Sequence, residues 1–323
     1  MNLNPLEQIG WSEFFSNQLS GQAAKKFIVA RIAGQHRKHL EVWTAEEART
    51  LSVAKCAPPE PLVIGDWILL NPSTLRLEKL LERYSLLKRQ AAGKQQSVQL
   101  IGANVDTLFI LSSCNQDFNL GRLERYIALA LNTDVEPVLI LTKADLSASH
   151  KDYVIQAQTL YDPMKIIALD ARDQNVAQRL SPWLQPGKTI AVLGSSGVGK
   201  SSLASSLGAD PQRVAAVRAG DQKGRHTTTW RSMHRLNGGA LLIDNPGIRE
   251  LRLVECERGV ERLFSDLLEF AQCRYADCRH LQEPSCGVLA AVESGQLSER
   301  RWLSYQKLLA EQAGCESQSE SFH

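Results

Sequence analysis

The segment 194–201 reads Gly-Ser-Ser-Gly-Val-Gly-Lys-Ser, which has the residue types and spacing of a phosphate-binding loop. Its glycines allow backbone N–H groups to approach phosphate oxygens, and a helix that starts directly after the loop adds partial positive charge. Lys200 is expected to reach the β and γ phosphates, and Ser201 to bind Mg²⁺. The alternative, a glycine-rich turn without a ligand, is disfavoured by the apolar run before the loop and the helical pattern after it. We expect nucleotide contacts from Gly194, Ser195, Ser196, Gly197, Val198, Gly199, Lys200, Ser201 and Ser202.

A second motif, at 142–145, could recognise the base of the nucleotide. Asp145 ends the sequence Thr-Lys-Ala-Asp directly after the apolar run 138–141. A carboxylate there can accept hydrogen bonds from N1–H and the 2-amino group of guanine, whereas N1 of adenine is an acceptor and would repel it. Asp145 would thus select GTP, and the stem of Lys143 would pack along the base or the loop. The predicted base-contacting residues are Thr142, Lys143, Ala144 and Asp145.

The order of the two motifs along the chain is unusual. In an ordinary GTPase the base-reading motif follows the phosphate loop, whereas here it precedes that loop. This order predicts a circularly permuted nucleotide-binding domain.

A third motif, Asp244-Asn-Pro-Gly247, follows the apolar run 240–243. An acid at the end of a buried strand is costly unless it serves a cation or strong donors, so Asp244 is a candidate Mg²⁺ ligand. The N–H group of Gly247 would contact the γ-phosphate. An Asp-x-x-Gly sequence alone is commonly a turn, and its position downstream of a phosphate loop favours the functional interpretation.

The segment 220–229 between these motifs is polar and has no apolar period. It is typical of a loop that orders around γ-phosphate and Mg²⁺, although an ordinary solvated loop is the alternative. One of its three threonines should bind the metal ion, and we favour Thr228. The residue after Gly247 is Ile248, which cannot hydrogen-bond to an attacking water. His226 is therefore our candidate for positioning that water, and slow intrinsic turnover that a partner accelerates should follow.

A cysteine and histidine cluster lies nearer the carboxyl terminus. Three thiolates and one imidazole make a closed tetrahedral shell, which suits one structural Zn²⁺ and leaves no open position for a catalytic water. Reduced cysteines in a small core are the alternative, which the charged neighbouring residues disfavour. The predicted ligands are Cys273, Cys278, His280 and Cys286.

The composition indicates a folded protein of more than one domain. The 323 residues, of which 43% are hydrophobic, suit two or three domains. No run approaches the roughly 18 residues that a membrane helix needs, and the amino terminus lacks a signal-peptide pattern. We therefore expect a cytoplasmic monomer with no membrane partner, in which seven cysteines would bind metal or remain reduced rather than form disulfides. The formal charge of +2 neither requires nor excludes nucleic acid.

Three regions must position these motifs. From 27 to 87, short apolar runs separated by glycine and proline predict a small barrel of short strands, preceded by one amphipathic helix after Pro5. Next, the apolar runs 107–111, 138–141, 166–168, 189–193 and 240–243 alternate with helical stretches, which is typical of a parallel sheet covered on both faces. Beyond about residue 255 the chain is charged and helical, with a last helix over 297–309 and a fraying tail from Glu311.

The first 100 residues carry a modest excess of positive charge, 13 Lys and Arg against 9 Asp and Glu. The clusters Arg37-Lys38-His39 and Lys88-Arg89 could contact phosphate, since small barrels are frequent RNA-binding platforms. Solvated surface charge explains each cluster equally well.

Together, these motifs resemble the RsgA (YjeQ) family of GTPases that depend on the small ribosomal subunit. The resemblance spans nearly all of 27–310 and is carried by the motif order, by Gly65-Asp66-Trp67, and by the segments 103–106, 224–229 and 244–248. It implies an α/β fold: a circularly permuted P-loop GTPase domain with an N-terminal small β-barrel of the OB-fold type and a C-terminal helical zinc-binding domain. The implied divisions are an extension over 1–26, an RNA-binding barrel over 27–97, the GTPase domain over 98–254 and the zinc domain over 255–323.

The resemblance also implies late maturation of the small ribosomal subunit as the process, and the subunit with its rRNA as the partner. Two residues depart from the pattern. Thr142 replaces the usual Asn, so we expect a looser tie between base reader and phosphate loop, and Asp170 stands where a Ser-Ala pair commonly supports the guanine.

Two other functions remain open from the sequence. The first is a nucleotide-gated RNA-binding assembly factor of another ribonucleoprotein, in which hydrolysis serves release. The second is an ATP-dependent kinase or transporter-type protein, which fits the phosphate loop but not Asp145.

Overall fold

The computed structural model describes residues 3–19, 26–36, 38–56, 60–90, 97–210, 231–244 and 251–319. Within these ranges no helix combines the length and the apolar character that a membrane crossing requires. The strands are β1 (Ile28–Gln35), β2 (His39–Trp43), β3 (Ala48–Ser52), β4 (Trp67–Leu70), β5 (Leu77–Leu80), β6 (Leu86–Gln90), β7 (Val98–Ala103), β8 (Thr107–Ser113), β9 (Glu136–Thr142), β10 (Lys165–Ala168), β11 (Thr189–Gly194), β12 (Arg231–Arg235) and β13 (Leu241–Asp244).

Helices connect most of these strands and form the carboxyl-terminal part of the chain. Short 3₁₀ turns cover Glu7–Ile9, Val53–Lys55 and Ala144–Leu146. The α-helices of the described residues are α1 (Glu13–Ser16), α2 (Leu120–Asn132), α3 (His150–Gln158), α4 (Val176–Arg179), α5 (Lys200–Ser206), α6 (Glu257–Leu263), α7 (Ser265–Leu268), α8 (Gly287–Glu293) and α9 (Glu299–Ser319).

The apolar runs of the middle region form a mainly parallel sheet, as the sequence predicts. Its strand order is β10-β9-β8-β11-β13-β12, in which only β12 runs antiparallel to its neighbour β13. Strands β8, β9, β11 and β13 are buried along nearly their whole length, because helices and loops cover both faces. The phosphate-loop strand β11 lies between β8 and β13. The base-reading strand β9 lies on the other side of β8.

The amino-terminal strands form a small antiparallel unit that is continuous with this sheet. Strand β1 pairs with β2 and β4, and it also pairs with β12 through Gly34 opposite Ser232 and Gln35 opposite Arg231. The result is one sheet of 11 strands. Strands β6 and β7 form a separate hairpin, within which the expected boundary at 97/98 falls.

The prediction of one amphipathic helix after Pro5 is wrong. The segment instead forms a 3₁₀ turn and the one-turn helix α1, separated by Gly10 with φ 90°. A Cβ at Gly10 would lie 2.3 Å from Nη1 of Arg31, so a close approach of that guanidinium requires glycine and interrupts the helix. Ile9 and Phe15 are nevertheless fully buried and join the core.

Helix α9 is longer than the sequence predicts and continues to Ser319 where fraying was expected from Glu311. Tertiary contacts hold the first residues of this extension. Arg125 of α2 forms an ion pair with Glu311, and the side chain of Gln312 accepts a hydrogen bond from the backbone N–H of Cys256. These contacts join α9 to α2 and to the segment that precedes α6.

Candidate nucleotide and metal sites

The phosphate loop lies at the carboxyl end of β11 and leads directly into α5, so the predicted strand–loop–helix context is present. A Cβ at Gly194 would lie 2.6 Å from the carbonyl oxygen of Leu111 on β8, which explains why the loop leaves the strand at a glycine. The ammonium group of Lys200 donates to the carbonyl oxygens of Gly194 and Ser195 at 2.8 Å and 2.6 Å. Lys200 therefore lies against the loop that is expected to receive phosphates.

Thr142 ties the base-reading strand to the phosphate loop, contrary to the expectation of a looser tie. Its buried hydroxyl donates to the carbonyl oxygen of Val198 at 2.6 Å and lies 3.3 Å from that of Ser112. Threonine can make this bond because β9 ends beside the loop, so a short side chain spans the gap. The departure from asparagine thus preserves the connection between the two motifs.

Asp145 lies in the turn Ala144–Leu146, exposed at the carboxyl end of β9. Its carboxylate accepts a hydrogen bond from Arg172 at 3.3 Å. Arg172 also donates to both carboxylate oxygens of Asp170, at 3.0 Å and 3.1 Å, and these hydrogen bonds hold the pKa of Asp170 below its ordinary value. Asp170, which departs from the usual pattern, therefore fixes a cation beside the predicted base reader.

Asp244 is buried at the end of β13, where it lies opposite Val192 of β11 and Ser232 of β12. It is thus held next to the strand that leads into the phosphate loop. Ser201 lies half-buried in the first turn of α5. A carboxylate and a hydroxyl are oxygen ligands of the kind that Mg²⁺ prefers, so the residue types fit that ion.

Three predicted site residues, His226, Thr228 and Gly247, lie outside the described residues, as does Ile248. The ends of the two segments that contain them are described. Residues 211–230 begin after Asp210 and lead into β12, and residues 245–250 follow Asp244 at the end of β13.

Sequence reasoning missed one group at this edge of the sheet, Asp117 in the loop between β8 and α2. Its carboxylate accepts a hydrogen bond from the hydroxyl of Ser195 in the phosphate loop. The available signal was the polar sequence Asn-Gln-Asp at 115–117 directly after a buried parallel strand, because the carboxyl ends of such strands share one edge.

The four predicted zinc ligands come together in the structure. The Nδ1 atom of His280 lies 3.4 Å, 3.5 Å and 3.3 Å from the sulfurs of Cys273, Cys278 and Cys286, and all four ligand atoms lie within 4.8 Å of one another. A tetrahedral zinc with Zn–S bonds of about 2.3 Å and Zn–N of about 2.0 Å would separate its ligands by about 3.5–3.8 Å. Burial lowers the pKa of His280, which favours the neutral imidazole that a metal requires.

The loop that carries His280 is held on two sides. Backbone N–H groups of Arg279, Leu281 and Gln282 donate to the carboxylate of Glu283 and lower the pKa of that group to about 2. From α9, the indole N–H of Trp302 donates to the carbonyl oxygen of His280 at 2.8 Å. The ligand geometry is therefore supported by hydrogen bonds from outside the cluster.

The basic residues of the amino-terminal region are less available to nucleic acid than their number suggests. Arg31 is fully buried, and Arg83 forms a two-point ion pair with buried Asp66 at 2.7 Å and 2.8 Å. Lys88 pairs with Glu255, and Arg89 donates to Gln99. Arg37 lies outside the described residues, and the exposed cations on this unit include Lys38, Arg76 and Lys79.

Comparison with known proteins agrees with this architecture. The family model described as RsgA GTPase matches residues 80–254. Small ribosomal subunit biogenesis GTPase RsgA 2 of Vibrio parahaemolyticus is 46% identical, over 96% of this chain and 86% of the relative. RsgA of Mesorhizobium japonicum is 41% identical, over 94% of this chain and 88% of the relative.

Two solved structures show the same fold. YjeQ from Thermotoga maritima matches with a TM-score of 0.63 and 24% identity, over 89% of this chain and 99% of that chain. YloQ, described as a circularly permuted GTPase, matches with a TM-score of 0.60 and 23% identity, over 88% and 94% of the two chains. The predicted permutation is thus confirmed at the level of the fold.

Proposed function

Because this chain belongs to the RsgA GTPase family, we propose that it hydrolyses GTP as a late maturation and checkpoint factor of the small ribosomal subunit, with the subunit stimulating hydrolysis. The observation that carries the proposal is the similarity to relatives named for that process over nearly the whole chain, including all three regions. The geometry of the phosphate loop and of Asp145 supports GTP as the substrate.

The proposed phosphate site consists of the loop 194–201, in which Lys200 donates to phosphate oxygens in place of the loop carbonyls that it contacts in the structure. Ser201, Asp244 and Thr228 are the proposed Mg²⁺ ligands, and the bound ion would neutralise phosphate charge. The hydrogen bond from Thr142 to Val198 connects the base-reading strand to the phosphate loop. Binding of the base at Asp145 would therefore also position the loop that holds the phosphates.

The attacking water requires a partner in this proposal. Ile248 cannot orient water, so His226 is proposed to do so when the subunit holds the segment 211–230 in place. His226→Ala should retain GTP binding and lose most of the stimulated turnover. Full stimulated turnover by that variant would remove His226 from the mechanism.

One structural zinc is proposed at the Cys₃His cluster, with no role in the chemistry, since four protein ligands close its coordination shell. None of the described cysteines forms a disulfide, which suits a reducing compartment. We accordingly propose a cytoplasmic monomer that contacts rRNA through exposed cations of the amino-terminal unit, including Lys38, Arg76 and Lys79.

The decisive experiment measures GTP turnover by the purified protein with and without purified small ribosomal subunits, and repeats the measurement with ATP. The proposal expects slow turnover alone, a strong stimulation by subunits and no turnover of ATP. An unchanged rate with subunits would refute the ribosomal part and leave the GTPase part standing. Asp145→Asn is the matched variant, which should lose GTP and gain xanthosine triphosphate, because the amide can donate to the 2-oxo group of xanthine.

A further inference from the structure

The loop 114–119 connects β8 to α2 and lies beside the phosphate loop. Its conformation is fixed by its own hydrogen bonds. The side-chain oxygen of Asn115 accepts from the hydroxyl of Ser113 at 2.8 Å and from the backbone N–H of Asp117 at 2.9 Å. The side chain of Asn119 caps α2 by accepting from the N–H of Arg122 at 2.8 Å. These hydrogen bonds restrain the loop and thereby fix the position of the Asp117 carboxylate.

The two oxygens of the Asp117 carboxylate have different partners. Oδ2 accepts a hydrogen bond from the hydroxyl of Ser195, and Oδ1 forms an ion pair with Nη2 of Arg122 at 3.0 Å, the nitrogen that also donates to the backbone carbonyl of Asp117. Ser195 itself is buried and follows Gly194 directly, at the point where the chain leaves β11. Its carbonyl oxygen accepts from Lys200 at 2.6 Å. The side chain and the main chain of Ser195 are thus both held.

A carboxylate beside a polyphosphate site is unfavourable unless it is compensated, since like charges repel. Arg122 supplies the compensation, so that Ser195 gains a strong acceptor while the pair contributes no net charge. Asp117 is therefore suited to hold the phosphate loop in place rather than to bind the nucleotide.

We propose that Asp117, neutralised by Arg122, is a positioning residue that anchors Ser195 and thereby holds the phosphate loop in the conformation that receives the nucleotide. This inference rests on the proposed GTPase function. It assigns a role in nucleotide binding to α2 and to the loop before it, in addition to the phosphate loop and the base-reading motif.

The first test is a double-mutant cycle on Asp117 and Ser195. Binding of fluorescent mant-GDP and mant-GTPγS would be measured for Asp117→Ala, Ser195→Ala and the double variant. A charge-assisted hydrogen bond that is partly exposed predicts a loss of about fivefold to tenfold in affinity for each single variant. The double variant should lose no more than either single variant, because both changes remove one interaction.

The controls separate anchoring from a general effect on folding. Asp117→Asn keeps an acceptor for the hydroxyl and should bind nucleotide within about twofold of the unmodified protein. Asp162→Ala removes an exposed carboxylate from the turn between α3 and β10 and should change nothing. Thermal denaturation of each variant shows whether the fold is intact.

The second test concerns the charge of Asp117. Arg122→Gln leaves the carboxylate uncompensated, so affinity for mant-GTPγS should fall more than affinity for mant-GDP, most strongly at low salt. Adding Asp117→Asn to this variant should restore the triphosphate affinity. Rescue of this kind is not expected if Arg122 merely stabilises α2.

Equal losses for the two nucleotides without rescue, or additive losses in the cycle, would overturn the inference. Turnover of the unmodified protein with small ribosomal subunits is measured alongside. Its absence would refute the proposed function, whereas the binding measurements judge the role of Asp117 independently of hydrolysis.

Discussion

Substitution of Thr142 by valine tests how the base reader and the phosphate loop are joined. Valine has nearly the same shape as threonine, so the change removes the hydroxyl that donates to Val198 at 2.6 Å without opening a cavity. Thr142 is fully buried, and the Val198 carbonyl is left without its donor. A buried acceptor that loses its donor costs about 1–3 kcal/mol. We expect about 1–2 kcal/mol here, because the loop can still move.

The cost should appear mainly in nucleotide binding. Without nucleotide the loop can shift and expose the Val198 carbonyl to water, whereas bound nucleotide holds the loop in place. A cost of about 1–2 kcal/mol corresponds to a loss of about 5-fold to 30-fold in affinity. The free energy of unfolding should fall by less, with a decrease in Tm of no more than about 4 °C.

The assay is a fluorescence titration with mant-GDP, and the chain offers a matched control. Thr189 on β11 is also buried, but its hydroxyl has no hydrogen-bond partner among the described residues. Thr189→Val should therefore leave affinity and stability unchanged or slightly raised. Thr142→Asn, which keeps a donor, should bind within a few fold of the unmodified protein. If Thr142→Val binds mant-GDP as tightly as the unmodified protein, the proposed tie has no energetic role.

Three further outcomes follow from the structure. Cys286→Ser should reduce the zinc content below one ion per chain by elemental analysis and lower Tm, and an unchanged zinc content would exclude Cys286 as a ligand. Arg31→Met removes the donor to the carbonyls of Ile9, Gly65 and Asn104, of which Gly65 and Asn104 keep a second donor in the side chains of Asn104 and Tyr84, so urea denaturation should show a decrease of about 1–3 kcal/mol in the free energy of unfolding; an unchanged midpoint would contradict this. Burial raises the pKa of Cys256 to about 12, so iodoacetamide at pH 8 should label this thiol only after denaturation, as peptide mass spectrometry would detect.

The sequence predicted the parts of the fold that depend on local pattern. Continuous apolar runs identified the strands of the parallel sheet, because strands covered on both faces carry few polar residues. The phosphate loop and the cysteine cluster were recognisable because their chemistry demands particular residue types at fixed spacing. The structure places the ligand atoms of all four predicted cluster residues within 4.8 Å of one another.

What could not be predicted depends on the approach of distant segments. Arg31 entered the sequence analysis only as one of 13 positive charges, whereas it donates to the carbonyls of Ile9, Gly65 and Asn104, which only the folded chain brings together. The pairing of Asp117 with Ser195 likewise joins residues separated by 78 positions. A buried charge satisfied by backbone carbonyls leaves no mark in hydrophobic periodicity, so the burial of Arg31 could not be predicted from the sequence.

Two ladder positions join β1 of the small antiparallel unit to β12 of the nucleotide-binding sheet. Strand β12 follows the segment 211–230 directly, and its other neighbour, β13, ends at Asp244. A pairing of only two positions is held by a few hydrogen bonds, each of which contributes about 1 kcal/mol. Because so few hydrogen bonds join β1 to β12, a displacement of β12 that breaks this pairing costs little hydrogen-bond energy.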